Sequence, residues 1–335
     1  MKSHRNKSTN KVRPLQVTDR DRELLRALEE YRVLATDQVH RLFFPSLHRT
    51  RKRLALLWRH GLLVRDVRPT RLGEGSSQYH YALSQTGRRT FIDHSQDHGV
   101  SRRALQAFSR HTEQINDFRI CLTLATRLAD DLTLLSWTQS RKLRMVAAPR
   151  YPLMTQPIPI IPDAMFTLLC RGREYNYFLE SDRGTTDLGR IAKKCAGYHW
   201  LWQQKTAHRR FGIRSFRVLL VTTTRKRLDH IIQKLVNFHS HSSCPDLIAC
   251  ADFGLVSLNQ PHRLLAANWQ TVSNTGSSVS AWPLPAPSFN RSRQRQEYHP
   301  CAGQNPDASC KEPPGPADEG ASRLPGSGSG TDVER

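Results

Sequence analysis

Three carboxylates and one lysine within a single stretch could do chemistry together. In IPIIPDAMFTLLCRGREYNYFLESDRGT, Asp163 follows Pro162 at the head of a strand expected over 164–169. Gly172 then marks a turn, and a second strand, Tyr175 to Leu179, runs into Glu180 and Asp182. The hairpin would set Asp163 and Glu180 on neighbouring strands. Two carboxylates so placed can share one Mg²⁺, a hard ion that prefers oxygen ligands, and such an ion could activate water and stabilise a phosphate leaving oxygen. Asp182 falls two residues after Glu180, on the same strand face, and is a further candidate metal ligand. A helix expected over 187–204 buries Leu188, Ile191, Cys195, Tyr198 and Trp202. Lys194 flanks that stripe and could reach the sheet end, whereas Lys193 points nearly opposite. The alternatives are structural: Asp163 as a turn residue after proline, Glu180 and Asp182 paired with Arg183, and Lys194 solvated or touching phosphate.

A second group is basic. Between residues 46 and 72 there are eight Lys or Arg and one acidic residue, Asp66. His48, Arg49, Arg51, Lys52 and Arg53 crowd the start of one expected helix, and Arg65, Arg68 and Arg71 lead into a Gly-rich loop. Arg can contact guanine edges bidentately or grip phosphates, and sequence does not separate the two.

The elements that must carry this group are legible from spacing. Thr18 caps a first helix with Asp19, Asp21 and Glu23 in its opening turn and Leu24, Leu25 and Leu28 as its stripe. Thr36 is expected to cap a second helix that Pro45 stops. A third runs from about Leu47 to His60 with Leu54, Leu57 and Trp58 inward, and Gly61 ends it. LLVRDVRP, RLGEGSS and QYHYALS then read as strand, loop, strand. Three helices followed by a hairpin is the winged helix-turn-helix order, whose third helix enters the major groove. A winged helix that serves protein contacts is the competing reading.

The bulk properties agree with a polyanionic partner. The 335 residues carry 51 Lys and Arg against 29 Asp and Glu, a formal charge of +22, which favours nucleic acid or an anionic membrane. No run of eighteen apolar residues and no apolar core behind the basic N-terminus are present, so a membrane partner and a signal peptide are not expected and a cytoplasmic location is. Seven scattered cysteines, without zinc-ligand spacing, read as reduced thiols. RNA is a more distant partner, since a winged helix favours duplex DNA.

The expected organisation is a disordered basic arm (1–14), a winged helix domain (15–95), an α/β domain (103–269) led by a helix over 103–132, and a Pro-, Gly- and Ser-rich disordered tail (270–335). In that leading helix Ile115, Phe118, Leu122, Ala125 and Leu128 make the buried stripe. A strand over 216–223, a helix over 226–238 and a strand near 247–251 complete the α/β part. No tyrosine beside an HxH cluster is visible, which disfavours a tyrosine-type relaxase.

The ordered set of parts resembles the replication-relaxation family of plasmid and mobile-element proteins. It rests on the winged helix, HTEQINDFR (111–119), Pro162-Asp163-Ala164, FLESDRGT (178–185), and Lys194 four residues before Tyr198. The resemblance implies an α+β protein: an N-terminal winged helix-turn-helix followed by a restriction-endonuclease-like, PD-(D/E)XK α/β domain. It also implies action on a plasmid origin in replication, relaxation or mobilisation, with double-stranded DNA and replication or transfer proteins as partners and a homodimer as one candidate assembly. Asp163 and Glu180 would then be Mg²⁺ ligands, with the Ser181 carbonyl as a third. The chain departs from that pattern where a lysine belongs two residues after the glutamate: Asp182 stands there, and Lys194 would have to take over. The alternative is a degenerate nuclease fold in a non-enzymatic replication factor or transcriptional repressor.

Overall fold

The computed structural model describes residues 15–67, 78–91, 100–101, 103, 105, 110–139, 141–148, 156–238, 247–266, 268–272, 278–281 and 283–288. The expected basic arm, Arg68, Arg71 and the tail beyond 288 lie outside the described residues, which all fall within one compact unit, 1–300. The fold is α+β.

Helix α1 (Asp19–Tyr31) begins in a capping box: the Thr18 hydroxyl accepts from the Asp21 amide, and the Asp21 carboxylate accepts from the Thr18 amide at 2.7 Å. Strand β1 (Leu34–Ala35) leads into α2 (Thr36–Phe43). The residue capping α2 is Ala35 rather than Thr36, whose hydroxyl instead donates to the Tyr79 carbonyl at 3.0 Å. Helix α3 (Leu47–Arg59) is capped by Ser46 and closed by Gly61 at φ +73°, a conformation that costs glycine little. Strands β2 (Leu63–Val67) and β3 (Tyr79–Leu83) pair antiparallel and complete a three-stranded sheet in the order β1-β3-β2. Short helix α4 (Gln85–Phe91) follows. Leu24, Leu25, Leu28, Leu54 and Leu57 meet Leu63, Tyr81 and Leu83 in one core.

Helix α5 (Arg110–Leu128) ends four residues short of the expected 132, because Leu132 already opens β4 (Leu132–Thr138). It also has two buried faces. Ile115, Phe118, Cys121, Leu122 and Ala125 pack on the large sheet, whereas Ile120 and Leu124 belong to the core of α1–α3. Polar residues stitch the second face: Asn116 donates to the carbonyls of Tyr31 and Val33, Gln38 donates to Asp117 at 2.6 Å, and Arg119 pairs with Glu30. The stripe expected from spacing covers only the first face.

The ribbon of β5 (Met145–Ala147) and β6 (Ile158–Ile160) precedes the hairpin of β7 (Ala164–Cys170) and β8 (Arg173–Asp182). Arg171 and Gly172 both have positive φ in the two-residue turn between them, as a type I′ hairpin requires. Helices α6 (Leu188–Gln203) and α7 (Thr206–Phe211), strand β9 (Arg217–Thr222), helix α8 (Arg225–Phe238) and β10 (Ile248–Asp252) follow. Strands β11 (Trp269–Val272) and β12 (Ser278–Ala281) close a seven-stranded sheet in the order β12-β11-β10-β9-β8-β7-β4, with β8, β9 and β10 parallel. The α/β part therefore runs past 269, contrary to the tail expected from 270. Trp269 is fully buried, Leu284 is buried, and the Pro283 carbonyl accepts from the Tyr177 hydroxyl at 2.9 Å. Composition misled there because one edge hairpin in a polar stretch needs few apolar residues.

The sheet is covered on both faces. Alternation along β8 sends Tyr177 and Leu179 to the α5 side, and Phe178, Glu180 and Asp182 to the side of α6 and α8. At Gly197 in α6 a Cβ would meet Ile160 Cδ1 at 2.7 Å, so the missing side chain lets the ribbon close onto the helix that carries Lys194.

Candidate nucleic-acid interface and sheet-end site

On α3 the buried line is Thr50, Leu54 and Leu57. His48, Arg49, Arg51 and Lys52 lie about 100° or more round the helix from Thr50 and are exposed. Arg53 flanks the buried line and turns inward. Its Nε donates to Asp21 Oδ1 at 2.7 Å and its terminal nitrogen donates to the Gln16 carbonyl at 2.7 Å. Asp21 is only 1% exposed. Burial pushes its carboxyl up, but the Arg53 and Thr18 donors more than offset that and hold it below the usual carboxylate value. Arg53 thus ties α3 to α1, a correction to its grouping with the four exposed residues: an arginine beside the buried stripe finds the buried carboxylate before it finds solvent.

Arg65 is likewise held by its neighbours. Its guanidinium lies 3.6 Å from the Trp58 ring centroid and 4.5 Å from that of Tyr79. Trp58 is 37% exposed rather than inward as its spacing suggested, because it packs on Arg65 beyond the apolar core. The remaining expected contacts, Arg68 and Arg71, lie outside the described residues.

The second site is a cavity of about 270 Å³ between the ends of β7 and β8 and helix α6, and Asp163, Glu180, Lys194, Tyr198 and His111 are among its lining residues. Asp163 sits immediately before β7, its amide donating to the Leu179 carbonyl at 3.0 Å, so it is a neighbour of Glu180 as the hairpin required. Its Oδ2 accepts from the Ser181 amide at 2.7 Å and its Oδ1 meets His111 Nε2 at 3.0 Å. That hydrogen bond raises the His111 imidazole above its ordinary value. The long α5 brings His111, the first residue of the HTEQINDFR stretch, to the site.

Glu180 is buried inside β8 rather than at a strand end. Lys194 Nζ donates to its Oε2 at 2.5 Å and to the Ile161 carbonyl at 3.0 Å. The Tyr198 hydroxyl donates to its Oε1 at 2.5 Å. Lys194 and Tyr198, four residues apart, share one helix face, which was the available signal for Tyr198, read from its burial as core alone. Burial pushes the Glu180 carboxyl up to about 7 against the pull of Lys194. Burial alone would depress the Lys194 ammonium, yet the charges of Glu180 and Asp163 hold it above its ordinary value.

Asp182 is not part of this cluster of bonds. Its Oδ2 accepts from the Thr222 hydroxyl at 2.8 Å and from Arg227 Nε at 3.0 Å, and Oδ1 has no partner among the described residues. The expected partner Arg183 is exposed; α8 supplies Arg227 instead. Among the described residues no three His, Cys, Asp or Glu side chains are arranged to hold a metal ion. Every oxygen of Asp163 and Glu180 already has a hydrogen-bond partner within the protein, and Asp182 commits Oδ2 to Thr222 and Arg227, which leaves its Oδ1 as the one oxygen of the three carboxylates with no partner among the described residues. As folded, the donor set does not fit a divalent cation.

Cys121, Cys170, Cys195 and Cys250 are free and buried. No helix among the described residues is long and apolar enough to cross a membrane.

No curated protein and no solved structure matches the chain. A family model described as replication-relaxation matches residues 25–215, a span that begins in α1 and takes in α3, Asp163, Glu180, Lys194 and Tyr198. With more than half of the 335 residues matched, the chain belongs to the replication-relaxation family.

Proposed function

We propose that this protein binds duplex DNA of a plasmid or mobile-element origin through α3 and acts there in replication, relaxation or mobilisation. The observation that carries the reading is the outer face of α3, where His48, Arg49, Arg51 and Lys52 stand exposed with no ion pair to any described residue. The order α1-β1-α2-α3-β2-β3, with sheet order β1-β3-β2, supports a winged helix-turn-helix in which α3 is the groove-facing helix. The net charge of +22 supports a polyanionic partner, and the family supports an origin as its location. Replacing Arg49, Arg51 and Lys52 together with Ala removes three phosphate contacts. Duplex retardation should weaken sharply and the slope of log affinity against log salt should fall by about 3. A folded triple variant with unchanged affinity and slope would refute the assignment.

A second reading adds strand scission in a nuclease-like α/β domain. It is favoured by the convergence of Asp163, Glu180, Lys194 and His111 in one cavity beside the sheet end. Its test is conversion of a supercoiled origin plasmid to open circles in Mg²⁺. Product that disappears with Asp163→Ala or Glu180→Ala supports it, and absence of product with duplex binding intact removes it. A non-enzymatic replication factor or repressor is what then remains.

A further inference from the structure

The sheet-end cavity contains a cation of its own. The Lys194 ammonium lies between a carboxylate oxygen of Glu180, at 2.5 Å, and the carbonyl oxygen of Ile161, at 3.0 Å. A carboxylate and a backbone carbonyl are the hard oxygen ligands that Mg²⁺ or Mn²⁺ would seek. The surrounding groups complete the neutralisation. Tyr198 covers the other Glu180 oxygen, while His111 and the Ser181 amide cover the two oxygens of Asp163. Asp182, the nearest further carboxylate in sequence, lines the same cavity with its Oδ2 held by Thr222 and Arg227.

We propose that the Lys194 ammonium is the resident cation of this site and keeps divalent ions out of it. A metal ion could reach Glu180 Oε2 only by displacing Lys194 from its bond to this buried carboxylate, and the site would then offer it that oxygen and the Ile161 carbonyl, because Tyr198, His111 and the Ser181 amide hold the other oxygens of Glu180 and Asp163. Mg²⁺ also gives up its own water reluctantly, so an incomplete ligand set does not offset that cost. Lys194 thereby takes the place of the ion that the family resemblance led one to expect, and its position on α6, rather than two residues after Glu180, is what allows this. A lysine on β8 at position 182 would point along the sheet face beside Glu180; one on the covering helix can lie across the carboxylate.

The inference concerns the resting site and stands apart from duplex binding by α3, because its readout is metal binding rather than retardation. Full-length protein is titrated with Mn²⁺, and the free-ion electron paramagnetic resonance signal is followed for wild type, Glu180→Gln, Lys194→Met and the double variant, with circular dichroism as the check on folding. Wild type and Glu180→Gln should remove the same small amount of free Mn²⁺, because neither holds an ion in the cavity. Lys194→Met should tighten one site by roughly tenfold or more, and adding Glu180→Gln should abolish the gain. One Mn²⁺ bound by wild type and lost in Glu180→Gln would overturn the inference, and that comparison stands even if Lys194→Met fails to fold. A folded Lys194→Met with no gained site would overturn it equally.

Discussion

The outer face of α3 and the sheet-end cavity are both built from charged residues, yet they use charge in opposite ways. On α3, four basic side chains extend into solvent and no described carboxylate answers them. Their field is screened by salt but available to any polyanion that approaches. In the cavity, Glu180 and Asp163 are matched atom by atom with Lys194, Tyr198, His111 and the Ser181 amide. Desolvation has been met by local partners, so those charges hold the protein together before they can hold anything else. Residue type does not separate the two uses. Arg53 and Arg51 are two positions apart on one helix, and the first belongs with the cavity in kind because it ends on buried Asp21.

That pair gives the strongest way to break the comparison. Arg53→Ala should destabilise the protein by about 3 kcal/mol by stranding Asp21, while Arg51→Ala should stay within about 0.5 kcal/mol, both read from denaturant unfolding. Equal stability of the two variants would erase the distinction. Within the cavity, Tyr198→Phe should cost about 1.5–3 kcal/mol, the range for a hydrogen bond to a charged group, without altering the salt slope of duplex binding. A change in that slope would mean the cavity is part of the duplex contact after all.

Proton linkage sharpens the contrast further. Burial pushes Asp117, at the junction of α5 with α2, up to about 7 from an ordinary 3.8. A carboxyl raised in this way contributes stability that is complete below its unfolded value and lost as pH rises through the folded one. Asp117→Asn keeps an acceptor for Gln38 and removes the ionisation, so its Tm should exceed that of wild type by a few degrees at about pH 8 and lose that margin near pH 4. A margin that does not change with pH would contradict the burial of this carboxyl. The smallest effect is expected at His111. Its folded value is raised by Asp163, so that bond stabilises below the ordinary 6.5 and the benefit fades as pH rises through the folded value. His111→Ala should therefore lower Tm by a degree or so at about pH 5.5 and less at pH 9. No shallow exposed residue of α3 should show either profile.

Much of the framework was legible along the chain. The α1 stripe, the Gly61 stop, the β7–β8 hairpin around Gly172 and the placing of Asp163 beside Glu180 follow from local periodicity and turn chemistry. The misreadings share one cause. Arg53 was grouped with the DNA-facing charge and Trp58 and Tyr198 with the core, and each was placed by a partner on another element: Asp21, Arg65 and Glu180. The same blindness hid the second face of α5 and the edge strands β11 and β12, whose pairing depends on what lies across from them.

By itself the sequence determined the first three helices and the hairpin that follows them, that positive charge greatly exceeds negative, and that the carboxylates 163 and 180 fall on neighbouring strands; these are consequences of short-range sterics, spacing and counting. Tertiary structure alone decided which charges are spent internally. Lys194 lies on Glu180, and Arg227 rather than Arg183 lies on Asp182, because helices α6 and α8 cross the sheet there. A buried charge must find its counter-charge through space, and distance along the chain carries no information about that.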